Sequence, residues 1–112
     1  MEQKAATVFR EMPGQDSGSI PPDSILSEAL LQTAGVKVVR FRFAKGQELS
    51  EHTASTAAMM HQVSGRAVWG LGGETHDAEP GDWAYMEPNL KHSVHAKEDS
   101  VLLLLLLKKT GE

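Results

Sequence analysis

The run VLLLLLL, residues 101 to 107, is the feature that most limits what this chain can become. Seven apolar residues are too few to cross a bilayer as a helix, which takes about 20. As a strand, the run is apolar on both faces, because successive side chains point to opposite sides. One face enters a core. The other needs a second apolar layer, since a chain of 112 residues seldom leaves that much hydrocarbon in contact with water. A homodimer that covers the outer face is the economical answer, and an N-terminal arm folded back over it is the alternative.

The rest of the sequence supports strands. In VKVVRFRFA, residues 36 to 44, Val39, Phe41 and Phe43 fall on one face and Val38, Arg40 and Arg42 on the other, a period of two. Gly46 ends that segment. MMHQVSGRAVWGLGG supplies two short apolar segments around Ser64-Gly65 and a turn at Gly72-Gly73. EPGDW and EPNLKH are further turns. SILSEALLQT reads as a strand that turns at Ala34-Gly35 into the next. TASTAAMMH has helix-friendly residues, but glycines and strand patterns flank it, so strand, loop, strand is the expected order. Strands of about five to eight residues with turns about every ten predict an all-β sandwich or barrel.

Residues 1–23, rich in Gly, Pro, Ser and Asp near their end, read as a loosely ordered arm, and 24–112 as one barrel domain. A formal charge of −4 gives none of the basic field that binds nucleic acid. The absence of cysteine excludes disulfides, thiolate metal sites and cysteine nucleophiles. With no secretory pattern at the start and no membrane span, a cytoplasmic protein is expected.

The order of glycines and histidines resembles that of the small single-domain cupins. The family's first motif runs Gly, five residues, His-x-His, three or four residues, Glu, six residues, Gly. This chain matches it with Gly46, His52 and Gly65. The second runs Gly, five residues, Pro-x-Gly, two residues, His, and is matched by Gly81 and His92. The resemblance covers roughly residues 36 to 107 and implies a cupin-type double-stranded β-helix, a jelly-roll barrel. It also implies a metal held by two histidines and a glutamate of the first motif and the histidine of the second. Here the departures count. Ala54 stands at the second histidine position and Ala58 at the glutamate position, while Glu87 and Asn89 replace the proline and glycine of the second motif. Asn89 is a mild change, because Asn tolerates left-handed backbone.

Two imidazoles fall short of the three protein ligands of catalytic zinc, or of the two histidines and a carboxylate of the facial iron site. His61 is the candidate third ligand. Strict alternation puts Ala58, Met60 and Gln62 inside and His61 outside, whereas a β-bulge near Ala57-Ala58 would reverse that. Glu48 and Glu87 are read as rim charges, and His76 and His95 as surface or interface residues.

The resulting expectation is a small-molecule-binding cupin without obligatory metal. Its pocket would be lined by Met60, Gln62, Trp83, Tyr85 and Met86, with His52 and His92 as polar points. The alternative is a metal-dependent isomerase, decarboxylase or dioxygenase with His52, His61 and His92 on a divalent Zn, Fe, Mn or Ni. A third reading is metal-free acid–base catalysis by His52 or His92.

Overall fold

The computed structural model describes residues 5–8 and 20–108. Nine strands and no helix occur among them: β1 (Ile25–Gln32), β2 (Val36–Phe43), β3 (Glu48–His52), β4 (Ala58–Ser64), β5 (Ala67–Leu71), β6 (Glu74–Ala78), β7 (Trp83–Met86), β8 (His92–Ala96) and β9 (Ser100–Leu107). No helix is long and apolar enough to cross a membrane. SILSEALLQT is the first strand, and TASTAAMMH is a loop followed by the start of β4, as the flanking turns predict. Within the expected arm, residues 5–8 and 20–23 form no strand, and the remainder lies outside the described residues.

The strands form two antiparallel sheets, one in the order β1-β2-β9-β4-β7 and the other β3-β8-β5-β6. Sequence neighbours are frequently far apart in the sheets, which is the crossover pattern of a jelly roll. Between the sheets Phe43, Met60, Trp69, Met86, Val94 and Leu102 form the centre of the core. Burying each such side chain contributes about 1.5–3 kcal/mol.

The leucine run lies at the middle of the larger sheet, with β2 on one side and β4 on the other. Leu102, Leu104 and Leu106 point into the core. Leu103 and Leu105 point the other way and are half-buried. Leu103 lies between Arg40 and His61, and Leu105 between Val38 and Met59. Arg40 can lay its aliphatic stem over this face because Glu28, across on β1, takes its guanidinium in an ion pair. At the edge of the same face Trp83 and Tyr85 are exposed. The two-faced character of the run is therefore met partly by neighbouring side chains within one chain.

Gly65 is the tightest turn. Its φ is +75°, and a Cβ there would lie 2.1 Å from the Asp99 carbonyl oxygen, so only glycine fits. Asn89 also has positive φ, at 69°, where the resembled motif has glycine.

A histidine pair at the barrel mouth

His52 and His92 are brought together by a bulge. β3 pairs with β8 through Glu48↔His95 and Leu49↔Val94, and then through His52↔His92. Three steps along β3 thus match two along β8. The extra residue returns His52 to the inward face that Leu49 occupies, although the two are an odd number apart. Glu48 falls on the other face and meets His95 at 3.1 Å. A regular strand would put Glu48 and His52, four residues apart, on one face, and the bulge between them separates the two.

The two rings stand edge to face with centroids 4.2 Å apart. His92 is 7% exposed, whereas His52 is open to solvent. Each ring is tied to the backbone two residues before it: His52 Nδ1 donates to the Ser50 carbonyl at 2.8 Å and His92 Nδ1 to the Leu90 carbonyl at 2.9 Å. A carbonyl only accepts, so both Nδ1 atoms carry hydrogen. On a neutral ring, each Nε2 is then the acceptor nitrogen. Behind the pair the loop is fixed by the Asn89 N–H, which donates to the Ala54 carbonyl at 2.7 Å.

The remaining expected site residues separate into two groups. Met60, Gln62 and Met86 point inward and are buried at 1%, 0% and 2% exposure. Met60 and Met86 belong to the packed core, with Ala58 opposite Met86. Gln62 donates from Nε2 to the carbonyls of Ser64 and Gly65, at 3.0 and 3.3 Å, while its Oε1 is buried without a partner. It acts chiefly as a staple for the Gly65 turn.

His61, Trp83 and Tyr85 are corrections. They lie on the outer face of the larger sheet, not in the barrel. His61 pairs across the strands with Trp83, the rings stack at 4.0 Å, and His61 Nδ1 donates to the Asp82 carbonyl at 3.2 Å. Alternation runs unbroken from Ala58 to Gln62. The irregularity in β4 comes between Gln62 and Ser64, too late to turn His61 inward. His61 therefore cannot join His52 and His92 on one ion.

Among the described residues no three His, Asp or Glu side chains come together in a way that could hold a metal ion. The donor set at the mouth, two imidazoles with Ala54 and Ala58 beside them in the motif, does not fit the metal that the resembled motif implies. Glu87 is exposed in the turn after β7, and His76 is exposed and 3.9 Å from Glu74. Trp69 and Leu71 share the inward face, although neither belongs to the two motifs. Their signal was present, since alternation in AVWGL places Ala67, Trp69 and Leu71 on one face. Leu71 is the strand neighbour of His92.

Comparison with known families agrees with this architecture. The cupin domain family model matches residues 39–108. The chain belongs to the cupin family. A cupin superfamily protein from Desulfitobacterium hafniense DCB-2 superposes with a TM-score of 0.81 at 23% identity, covering 97% of this chain and 100% of that one. An RmlC-like cupin from Shewanella frigidimarina gives a TM-score of 0.73 at 18% identity, with 76% and 77% covered. A conserved protein of unknown function from Streptococcus pyogenes reaches 29% identity and a TM-score of 0.73, with 80% and 78% covered. Comparison with curated proteins finds no match.

Proposed function

We propose that this cupin binds a small organic molecule at the barrel mouth, through His52 and His92, without an obligatory metal. The observation that carries the reading is the pair of Nδ1–H···O=C bonds, which orient both rings and, on neutral imidazoles, leave each Nε2 as an acceptor. With both rings neutral, such a pair selects a ligand that offers hydrogen-bond donors, such as a hydroxyl, an amine or an un-ionised acid. A metal-dependent isomerase, decarboxylase or dioxygenase has only two of the donors it needs here. Metal-free proton transfer by the pair is chemically compatible with the same two rings.

The test is competitive enrichment. The full chain is incubated with a cell extract, desalted, and its bound small molecules are identified by mass spectrometry beside His52→Ala and His92→Ala. A compound retained by the wild type and lost from both variants supports the reading. Equal retention by all three, or none by any, refutes it. The same function has two copies of the chain meeting through the outer face of the larger sheet, supported by half-buried Leu103 and Leu105 and exposed Trp83 and Tyr85. Sedimentation velocity of the wild type and Tyr85→Lys checks that, with a dimer that dissociates in the variant expected and a monomeric wild type ruling it out.

A further inference from the structure

The outer face of the larger sheet differs from one margin to the other. Among the described residues four large apolar side chains are exposed, and three of them, Leu26, Trp83 and Tyr85, belong to this face. Leu26 stands on β1 and the aromatic pair on β7, at opposite ends of the order β1-β2-β9-β4-β7. Strand pairing lines the side chains up in rows. One row, Leu31, Val38, Leu105, Met59 and Tyr85, carries no charge. The next runs Glu28, Arg40, Leu103, His61 and Trp83. At the β7 margin the indole stands exposed. Between β1 and β2 the face is hollow, with a concavity of about 290 Å³ lined by Leu26, Ser27, Glu28, Arg40 and Arg42.

The two margins complement each other. The hollow has room for an aromatic side chain, and guanidinium groups favour the face of an indole. Glu28 holds Arg40 in place there through an ion pair. Within one copy the margins cannot meet, because β1 and β7 are four strand spacings apart, about 19 Å. A second copy brings them together. With a twofold axis along the central strand β9, β7 of each copy lies over β1 and β2 of the other, and Tyr85 falls opposite the partner's Leu31. An axis across the strands would set β2 over β2, with Arg40 and Arg42 against their own counterparts, an arrangement that like-charge repulsion disfavours. The area is sufficient. Five strands about 4.8 Å apart and up to eight residues long offer roughly 600 Å² per copy, the lower end for a stable interface.

We propose that two copies of this chain meet face to face with Trp83 of each seated in the other's hollow between β1 and β2. This rests on the outer face being the contact between copies, and it specifies which margin covers which.

A double-mutant cycle on the full chain tests the seat. Sedimentation velocity over a dilution series gives the dimer dissociation constant of the wild type, Trp83→Ala, Arg40→Ala and the double variant. The two residues share a row but lie three spacings apart in one copy, about 14 Å, too far to couple directly. Each single substitution is expected to weaken the dimer roughly tenfold, and the double variant little more than either. Cysteine pairing tests the axis, since the chain has no cysteine of its own. In Leu31→Cys/Tyr85→Cys the two thiols of one copy are too far apart to join, so any disulfide links two copies. Oxidation should link position 31 to position 85, and Tyr85→Cys alone should stay unlinked. A monomeric wild type overturns the proposal together with the dimer on which it rests. A dimeric wild type whose losses in the cycle simply add, or whose Tyr85→Cys variant links to itself, overturns the seat and leaves the dimer standing.

Discussion

Alanine substitution along the leucine run should produce an alternating pattern of destabilisation. Leu102 is 1% exposed and lies in the centre of the core between the sheets. Leu102→Ala removes the equivalent of three methylenes, about 2.4 kcal/mol of transfer energy. The cavity term raises this to about 3–4 kcal/mol, since β2 and β4 hold the strand from both sides and prevent collapse. Leu103, one residue later, is half-buried on the outer face, so Leu103→Ala loses roughly half the transfer term and leaves no closed cavity, about 1 kcal/mol. Urea denaturation followed by circular dichroism measures both. With an m-value of about 2 kcal/mol/M, the first substitution lowers the midpoint by roughly 1.5–2 M and the second by roughly 0.5 M. The measurement is made at a low and a high protein concentration. If two copies cover the outer face, the wild-type midpoint rises with concentration, and Leu103→Ala weakens that rise while Leu102→Ala preserves it. Equal costs for the two substitutions at a concentration where the chain is monomeric would refute the assignment of faces.

Restoring the missing donors tests the donor-count explanation for the histidine pair. Ala54→His with Ala58→Glu should bind one equivalent of Ni²⁺ or Zn²⁺ by calorimetry, whereas the wild type shows no stoichiometric uptake; tight uptake by the wild type would contradict it. His61→Ala should leave that metal titration unchanged and cost about 0.5–1.5 kcal/mol through loss of the Trp83 stack, seen as a change in tryptophan emission. A changed metal titration would mean that His61 reaches the mouth after all. Gly65→Ala should destabilise by several kcal/mol, read as a large fall in Tm, because positive φ and contact with the Asp99 carbonyl act together. A fall of only a degree or two would show that the turn relaxes freely.

The sequence carried the fold because period-two segments such as Val36–Phe43 and the glycine turns are local signals that tertiary packing reinforces. Gly46, Gly65 and Gly81 all adopt the positive φ that glycine permits, and Asn89 substitutes for the glycine expected there. The site was legible only in part. His52 and His92 were placed by motif spacing, and their contact at 4.2 Å agrees with it. Trp83 and Tyr85 read as pocket residues in the sequence, where the strand pairing that sets their parity is not visible. Once Ala58↔Met86 and Met60↔Ala84 are paired, Tyr85 and Trp83 must face outward.

Bulges explain why the rest was hidden. A bulge reverses the side-chain parity of everything beyond it, yet no residue type marks its place reliably. β3 bulges between Leu49 and His52, where it turns the histidine inward, and the β4–β9 pairing shifts only after Gln62, where it leaves His61 outward. Two histidines nine positions apart in sequence therefore end on opposite sides of the protein wall. A regular β3 would have pointed His52 outward, beside Glu48's neighbours, and left His92 alone at the mouth. The bulge in β3 is thus what makes the pair in a strand of this length. A one-residue deletion at Ser50 or Glu51 removes the extra residue, so two steps along β3 then match two along β8, and His52 stays opposite His92. Such a deletion should therefore keep ligand retention, with the β-sheet circular dichroism preserved. Loss of retention in it, with the sheets intact, would show that the irregular backbone itself, and not only the facing of the two rings, is needed for binding.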